Sequence, residues 1–157
     1  MSQPLVTYLR DHLAGARGAI DLLQSLRDQY TGEPLAQFVS ELLPEVDADR
    51  ATLKKILAQF ETDSNTFRDT IGQLTEKASR WKLSRRVAGD LGAFQSLETL
   101  SLGILGKLAL WRALERAAKS DARLQGRDFA ELACRAQAQF NRVEERRLQM
   151  ADKIFQK

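Results

Sequence analysis

Four long helical patterns each place a polar or charged side chain on the face that has to be buried. They are His12 on the first, Asp49 with Glu45 on the second, Glu98 with Arg112 on the third, and Arg147 beside Glu144 on the fourth. Carboxylates and an imidazole converging inside a helical bundle can hold a metal ion, whereas carboxylates met by guanidinium groups form ion pairs. A charge removed from water is destabilising unless it is paired or metal-bound, so inward charge from all four helices predicts a site or a network. The single His12 has no Ser, Cys or paired carboxylate at fixed spacing, and the single Cys134 falls off the apolar face of its helix. No nucleophilic motif, Gly-rich phosphate loop or dinucleotide fingerprint is present, and no residue is assigned as catalytic or cofactor-binding.

The elements that must position these residues follow from apolar spacing. A first helix is predicted over about Pro4 to Tyr30, on Leu5, Tyr8, Leu9, Ala16, Ala19, Ile20, Leu23, Leu26 and Tyr30. Thr31-Gly32 ends it. A second helix begins near Glu33-Pro34 and runs to Phe60, with Pro44 inside it expected to kink it. A shorter amphipathic helix on Phe67, Ile71, Leu74, Ala78 and Trp81 and an irregular stretch over 80–92 make a long connection. The third long helix, with Asp90 as its expected N-cap, reaches about Ala118 and is apolar around most of its circumference; the fourth runs from about Arg127 to the C-terminus.

Helical phase puts His12, Asp49 and Arg147 near the centres of their apolar faces, Glu98 and Arg112 on the face lined by Phe94, Leu105 and Leu108, and Glu45 and Glu144 at the rims. Counted from the loops at 31–33 and 119–126, His12 and Asp49 lie at similar heights, and Glu98 and Arg147 lie equally far from their turn. Two pairs are therefore expected, His12 with Asp49 and Glu98 with Arg147. They lie in separate clusters if the connection returns along the bundle, and in one layer if it does not. The regular helix on Phe67 to Trp81 favours the return.

At 157 residues the chain is read as one domain, 1–157, all-helical, rich in charge and with three Pro and nine Gly. One cysteine excludes an intramolecular disulfide framework and multi-cysteine zinc patterns and suits a reducing, cytoplasmic setting. The N-terminal sequence has no basic start followed by an apolar run, which predicts no export signal. The most apolar stretch, Leu97 to Trp111, contains Glu98 and Lys107 and is too short to span a bilayer. The net charge of +3 does not argue for nucleic acid. Arg80, Lys82, Arg85 and Arg86 around Trp81 form the densest basic run; phosphate or nucleic-acid binding there ranks behind a solvated connection.

Two helical hairpins, a long crossover with a short extra helix and inward carboxylates resemble the ferritin-like superfamily. The resemblance implies a di-metal centre of iron or manganese built from one Glu on each of two helices and a Glu-x-x-His pair on each of the others. Here Glu144-Glu145-Arg146-Arg147 has Arg147 at the His place, Glu45-Val46-Asp47-Ala48 has no His, and the first helix offers His12 instead of Glu. A metal site would need His12, Glu45, Asp49 and Glu98 or Glu144 to converge, and Arg cannot ligate. The expectation is a non-catalytic ferritin-like bundle without a cofactor, with charge pairs in place of metal, acting by association with itself or a protein partner. The competing expectation is a metal-dependent oxidoreductase or storage protein.

Overall fold

The computed structural model describes residues 3–61 and 89–156. The sequence-predicted helix on Phe67 to Trp81 and the basic run Arg80, Lys82, Arg85 and Arg86 lie outside them. The described residues form four long helices: α1 (Gln3–Gln29), α2 (Pro34–Glu61), α3 (Gly89–Ala117) and α4 (Phe129–Phe155). None of these is long and apolar enough to cross a membrane.

Local chemistry accounts for the boundaries. The last carbonyls of α1, at Arg27 and Asp28, are taken up by the Thr31 hydroxyl, and Gly32 turns the chain at φ +86°. Pro34 opens α2 where its missing N–H is harmless. Pro44, expected to kink α2, lies within one uninterrupted helix. Pro44 is on the exposed side of the helix, as is Ser40, the residue one turn earlier whose ladder bond a proline cannot supply. Asp90 is not an N-cap; α3 already begins at Gly89, and Asp90 sits in its first turn against Lys153 at 3.2 Å. The cap of α4, by contrast, is Asp128, whose carboxylate accepts the Glu131 N–H at 2.9 Å.

Side-chain contacts fix the directions of the helices. Tyr30 donates to the Gly89 carbonyl at 2.7 Å and His12 lies beside Gly106, so α1 and α3 are antiparallel. Glu45 meets Arg142 and Asp49 meets Arg135, so α2 and α4 are antiparallel as well. Since the chain turns tightly between α1 and α2, α2 and α3 run parallel. The chain thus leaves α2 at the end where Glu61 meets Arg10 and enters α3 at the opposite end, beside Tyr30.

The apolar core is divided in two. One half gathers Leu22, Leu23, Leu26, Val39, Leu42, Leu97, Leu100 and Val143. The other gathers Leu9, Leu53, Ile56, Phe60, Leu114, Leu124 and Phe129, with Trp111 stacked on Phe129 at 6.3 Å. Between them, at the height of His12, Asp49, Lys107 and Gln139, the interior is polar.

Candidate functional site: a buried ion-pair layer and its cavity

Asp49 is 2% exposed, and its carboxylate is the hub of this layer. Lys107 from α3 approaches Oδ2 at 2.7 Å, Gln139 from α4 donates to the same oxygen at 3.2 Å, and Arg135 stands 3.1 Å from Oδ1. Gln139, itself 1% exposed, accepts from Lys107 Nζ and donates onward to Glu45 at 3.3 Å, where Arg142 closes the chain at 2.7 Å. Three helices thereby share one network of Asp49, Glu45, Lys107, Arg135, Arg142 and Gln139. Burial pulls the Lys107 ammonium below its usual range, and the Asp49 carboxylate opposes that pull.

Lys107 and Gln139 were not among the sequence-predicted residues, although their spacing was legible. Lys107 lies three residues after Ile104 and four before Trp111, and Gln139 lies between Ala136 and Val143 on the buried stripe of α4. A long polar side chain at such a position reads as an apolar stem reaching outward, and only the facing Asp49 shows it to be a partner.

The expected His12–Asp49 pair is not formed. Both side chains line one cavity, but Asp49 is occupied from α3 and α4, and His12 packs edge-on against Tyr8 at 4.6 Å. Burial depresses the His12 pKa below its ordinary value of 6.5, with Asp11 working weakly the other way. The unfolded chain therefore takes up this proton first. Stability is fully present above about pH 6.5 and falls as the pH drops below it toward the lower folded-state value. Urea midpoints are expected to decline between about pH 7 and pH 5, before most carboxylates titrate, and His12→Leu is expected to flatten that interval.

The second cluster lies about nine residues along α3 from the first, roughly 13 Å at the helical rise. Arg147 grips Glu144 at 2.6 Å and 2.9 Å, touches Glu98 at 3.4 Å and covers the Phe94 ring at 5.2 Å. That grip holds the Glu144 carboxyl below the usual carboxylate range. Glu98 and Arg147 do meet, but the Glu98 side chain is 54% exposed and the pair is a surface one. A double-mutant cycle on Glu98 and Arg147 is expected to give about 0.2–1 kcal/mol of coupling, not the larger value of a buried pair.

Arg112 departs furthest from its predicted place. It is exposed, as are Leu105 and Leu102, because the face of α3 lined by Leu105 points outward. With leucines on every side of this helix, phase alone could not choose the buried direction. The five metal-ligand candidates are also kept apart: Glu45 and Asp49 belong to the central layer with Lys and Arg, Glu98 and Glu144 to the Arg147 cluster, and His12 to neither. Among the described residues no three His, Cys, Asp or Glu side chains converge to hold a metal. The di-metal centre implied by the ferritin-like resemblance does not fit these residues. Cys134 is exposed.

The architecture and the site define a class: the described residues form an all-α arrangement of four long helices with a hydrogen-bonded ion-pair layer between two apolar half-cores. Compared with family models, with curated proteins and with solved structures, the chain matches none.

Proposed function

We propose that this chain is a ferritin-like bundle in which cation–carboxylate pairing stands in place of a di-metal centre, and that it works without catalysis, by pairing with a second copy of itself through α3. The parallel α2 and α3, which call for one long crossover, support the ferritin-like reading. Asp49 held by Lys107 and Arg135 supports the replacement of metal.

One observation carries the association. The exposed residues of α3 include Leu91, Gln95, Glu98, Leu102, Leu105, Ala109, Arg112 and Arg116, spaced alternately by four and three. That is the spacing of a coiled-coil seam, and the leucines on it, Leu91, Leu102 and Leu105, are 44%, 66% and 38% exposed. The seam is also self-complementary. In an antiparallel pair, Leu102 of one copy lies opposite Leu105 of the other, and Glu98 falls within one turn of Arg112. A parallel pair would set Glu98 against Glu98 and Arg112 against Arg112. An isologous dimer about a twofold axis through the leucines follows.

Sedimentation equilibrium tests it. The wild-type chain is expected to dimerise, and Leu102→Glu, which buries two like charges at the axis, is expected to weaken the dimer at least a hundredfold. Glu98→Arg alone should weaken it, while Glu98→Arg with Arg112→Glu should restore it, because the exchange preserves the antiparallel match. A wild-type chain that stays monomeric at its highest soluble concentration would end the reading. The metal-free part is tested separately by elemental analysis of untagged protein: stoichiometric iron or manganese, lost in Asp49→Asn, would overturn it.

A further inference from the structure

Beside the ion-pair layer, α1, α2 and α3 line a cavity of about 380 Å³. That volume falls within the range of small-molecule sites, roughly 300–1,000 Å³. Its cause is local: α1 contributes Gly15 and Ala16 and α3 contributes Gly103 and Gly106, so neither helix sends bulk into the gap. A Cβ added at Gly15 would meet nothing within 4 Å, and one at Gly106 would meet only His12 Cε1 at 3.9 Å. Each helical glycine is also less favourable than alanine by about 1 kcal/mol, so neither packing nor helix propensity accounts for the space.

Most of the wall is apolar. Val46, Leu53, Ile104 and Leu110 line it, together with the rings of Tyr8 and His12, which meet edge to face at 4.6 Å. Burial holds the His12 pKa below 6.5, so at neutral pH the imidazole adds a ring and no charge.

Charge decides what the cavity can accept. Four charged side chains reach its wall, Asp11, Asp49, Arg50 and Lys107, and they sum to zero. Arg50 is already paired with Asp47 at 2.8 Å and Lys107 with Asp49 at 2.7 Å, while Asp11 is exposed to water. The Asp49 Oδ1 and the Trp111 indole nitrogen have no hydrogen bond, but both atoms are sealed from the cavity, and one is an acceptor where the other is a donor. A ligand anion could reach Lys107 only by drawing it off Asp49, which is 2% exposed. A ligand cation could reach Asp49 only by displacing Lys107 or Arg135. Either would leave a buried charge uncompensated, whereas an uncharged ligand disturbs no pair.

We propose that this cavity binds a small uncharged aromatic molecule, its ring against Tyr8, His12 and the aliphatic wall. Unlike the self-association, this site lies inside one copy of the chain and does not depend on the α3 seam.

The test is calorimetric titration of the full chain with three probes that share one ring system: uncharged naphthylmethanol, anionic naphthoate and cationic naphthylmethylammonium. Saturable one-to-one binding of naphthylmethanol, with the negative heat-capacity change of apolar burial and with both charged probes at least tenfold weaker, is the expected result. Gly15→Leu should weaken naphthylmethanol at least tenfold while raising the melting temperature, because it fills the cavity and removes a helical glycine. Ala16→Leu serves the same purpose if Gly15→Leu fails to fold. Leu102→Glu should keep the naphthylmethanol affinity, which separates loss of this site from loss of the dimer. The proposal is overturned if naphthylmethanol does not bind the wild-type chain or does not saturate, if either charged probe binds as tightly, or if the filled variant binds naphthylmethanol as well as the wild type.

Discussion

Replacing Lys107 by Met is expected to destabilise the chain by about 3 kcal/mol, the lower part of the range for removing one partner of a buried pair. The apolar stem is kept, so little packing is lost. What remains is Asp49, 2% exposed, with only Arg135 as a cation, and a Gln139 carbonyl without its donor. Arg135 is itself 41% exposed and compensates only partly. The energetic asymmetry of buried charge supplies the control. If Asp49→Leu and Gln139→Leu are added to Lys107→Met, the uncompensated groups are gone, and stability is expected to return to within about 1 kcal/mol of the wild type or to exceed it. Urea unfolding with an unchanged denaturant slope measures both. A loss below about 1 kcal/mol for Lys107→Met alone would show that Asp49 does not depend on this ammonium.

Trp111→Ala is expected to cost about 3–5 kcal/mol, as large-to-small changes of buried aromatics do. Trp111 is completely buried, stacks on Phe129 and is one wall of the existing cavity, so truncation merges the new void with one of about 380 Å³. The surroundings cannot collapse into it, because the opposite wall is already made of glycine and alanine on two long helices. Trp111→Phe isolates the ring from the N–H. Since the indole N–H has no protein partner, no hydrogen bond is lost, and the cost is expected to be about 1–2 kcal/mol of packing. Thermal and urea unfolding compare the two. Equal costs for Ala and Phe would mean that the indole N–H, and not the volume, holds Trp111 in place.

The four helices were legible because each repeats its apolar residues at the helical period for seven turns or more, with Gly32 marking one turn. Asp128, the cap of α4, is legible as the Asp just before Phe129, whereas a start at about Arg127 falls two residues ahead of the helix and hides the cap inside it. The Arg147 cluster was partly legible. Equal distance from the turn brought Glu98 and Arg147 to the same height, and in an antiparallel hairpin equal height is enough for contact. The same counting put His12 and Asp49 at one height, and there it misled. They share a cavity, yet a carboxylate goes to the groups that best offset its burial, and Lys107 brings a full positive charge where a neutral imidazole brings none.

By itself, then, the sequence determined the helical class, the extents of the helices and the presence of charge at interior positions, all of which depend on neighbours within one helix. It could not determine which way α3 faces, because a helix with leucines around its whole circumference has no preferred side until others cover it. Tertiary structure made that choice. It turned Leu102, Leu105 and Arg112 outward as a seam, turned Lys107 inward onto Asp49, and set the glycines of α3 against those of α1 to leave a cavity. The cause is that a buried charge is satisfied by whichever partner another helix brings within reach, and reach is a property of how helices pack, not of the order of residues along any one of them.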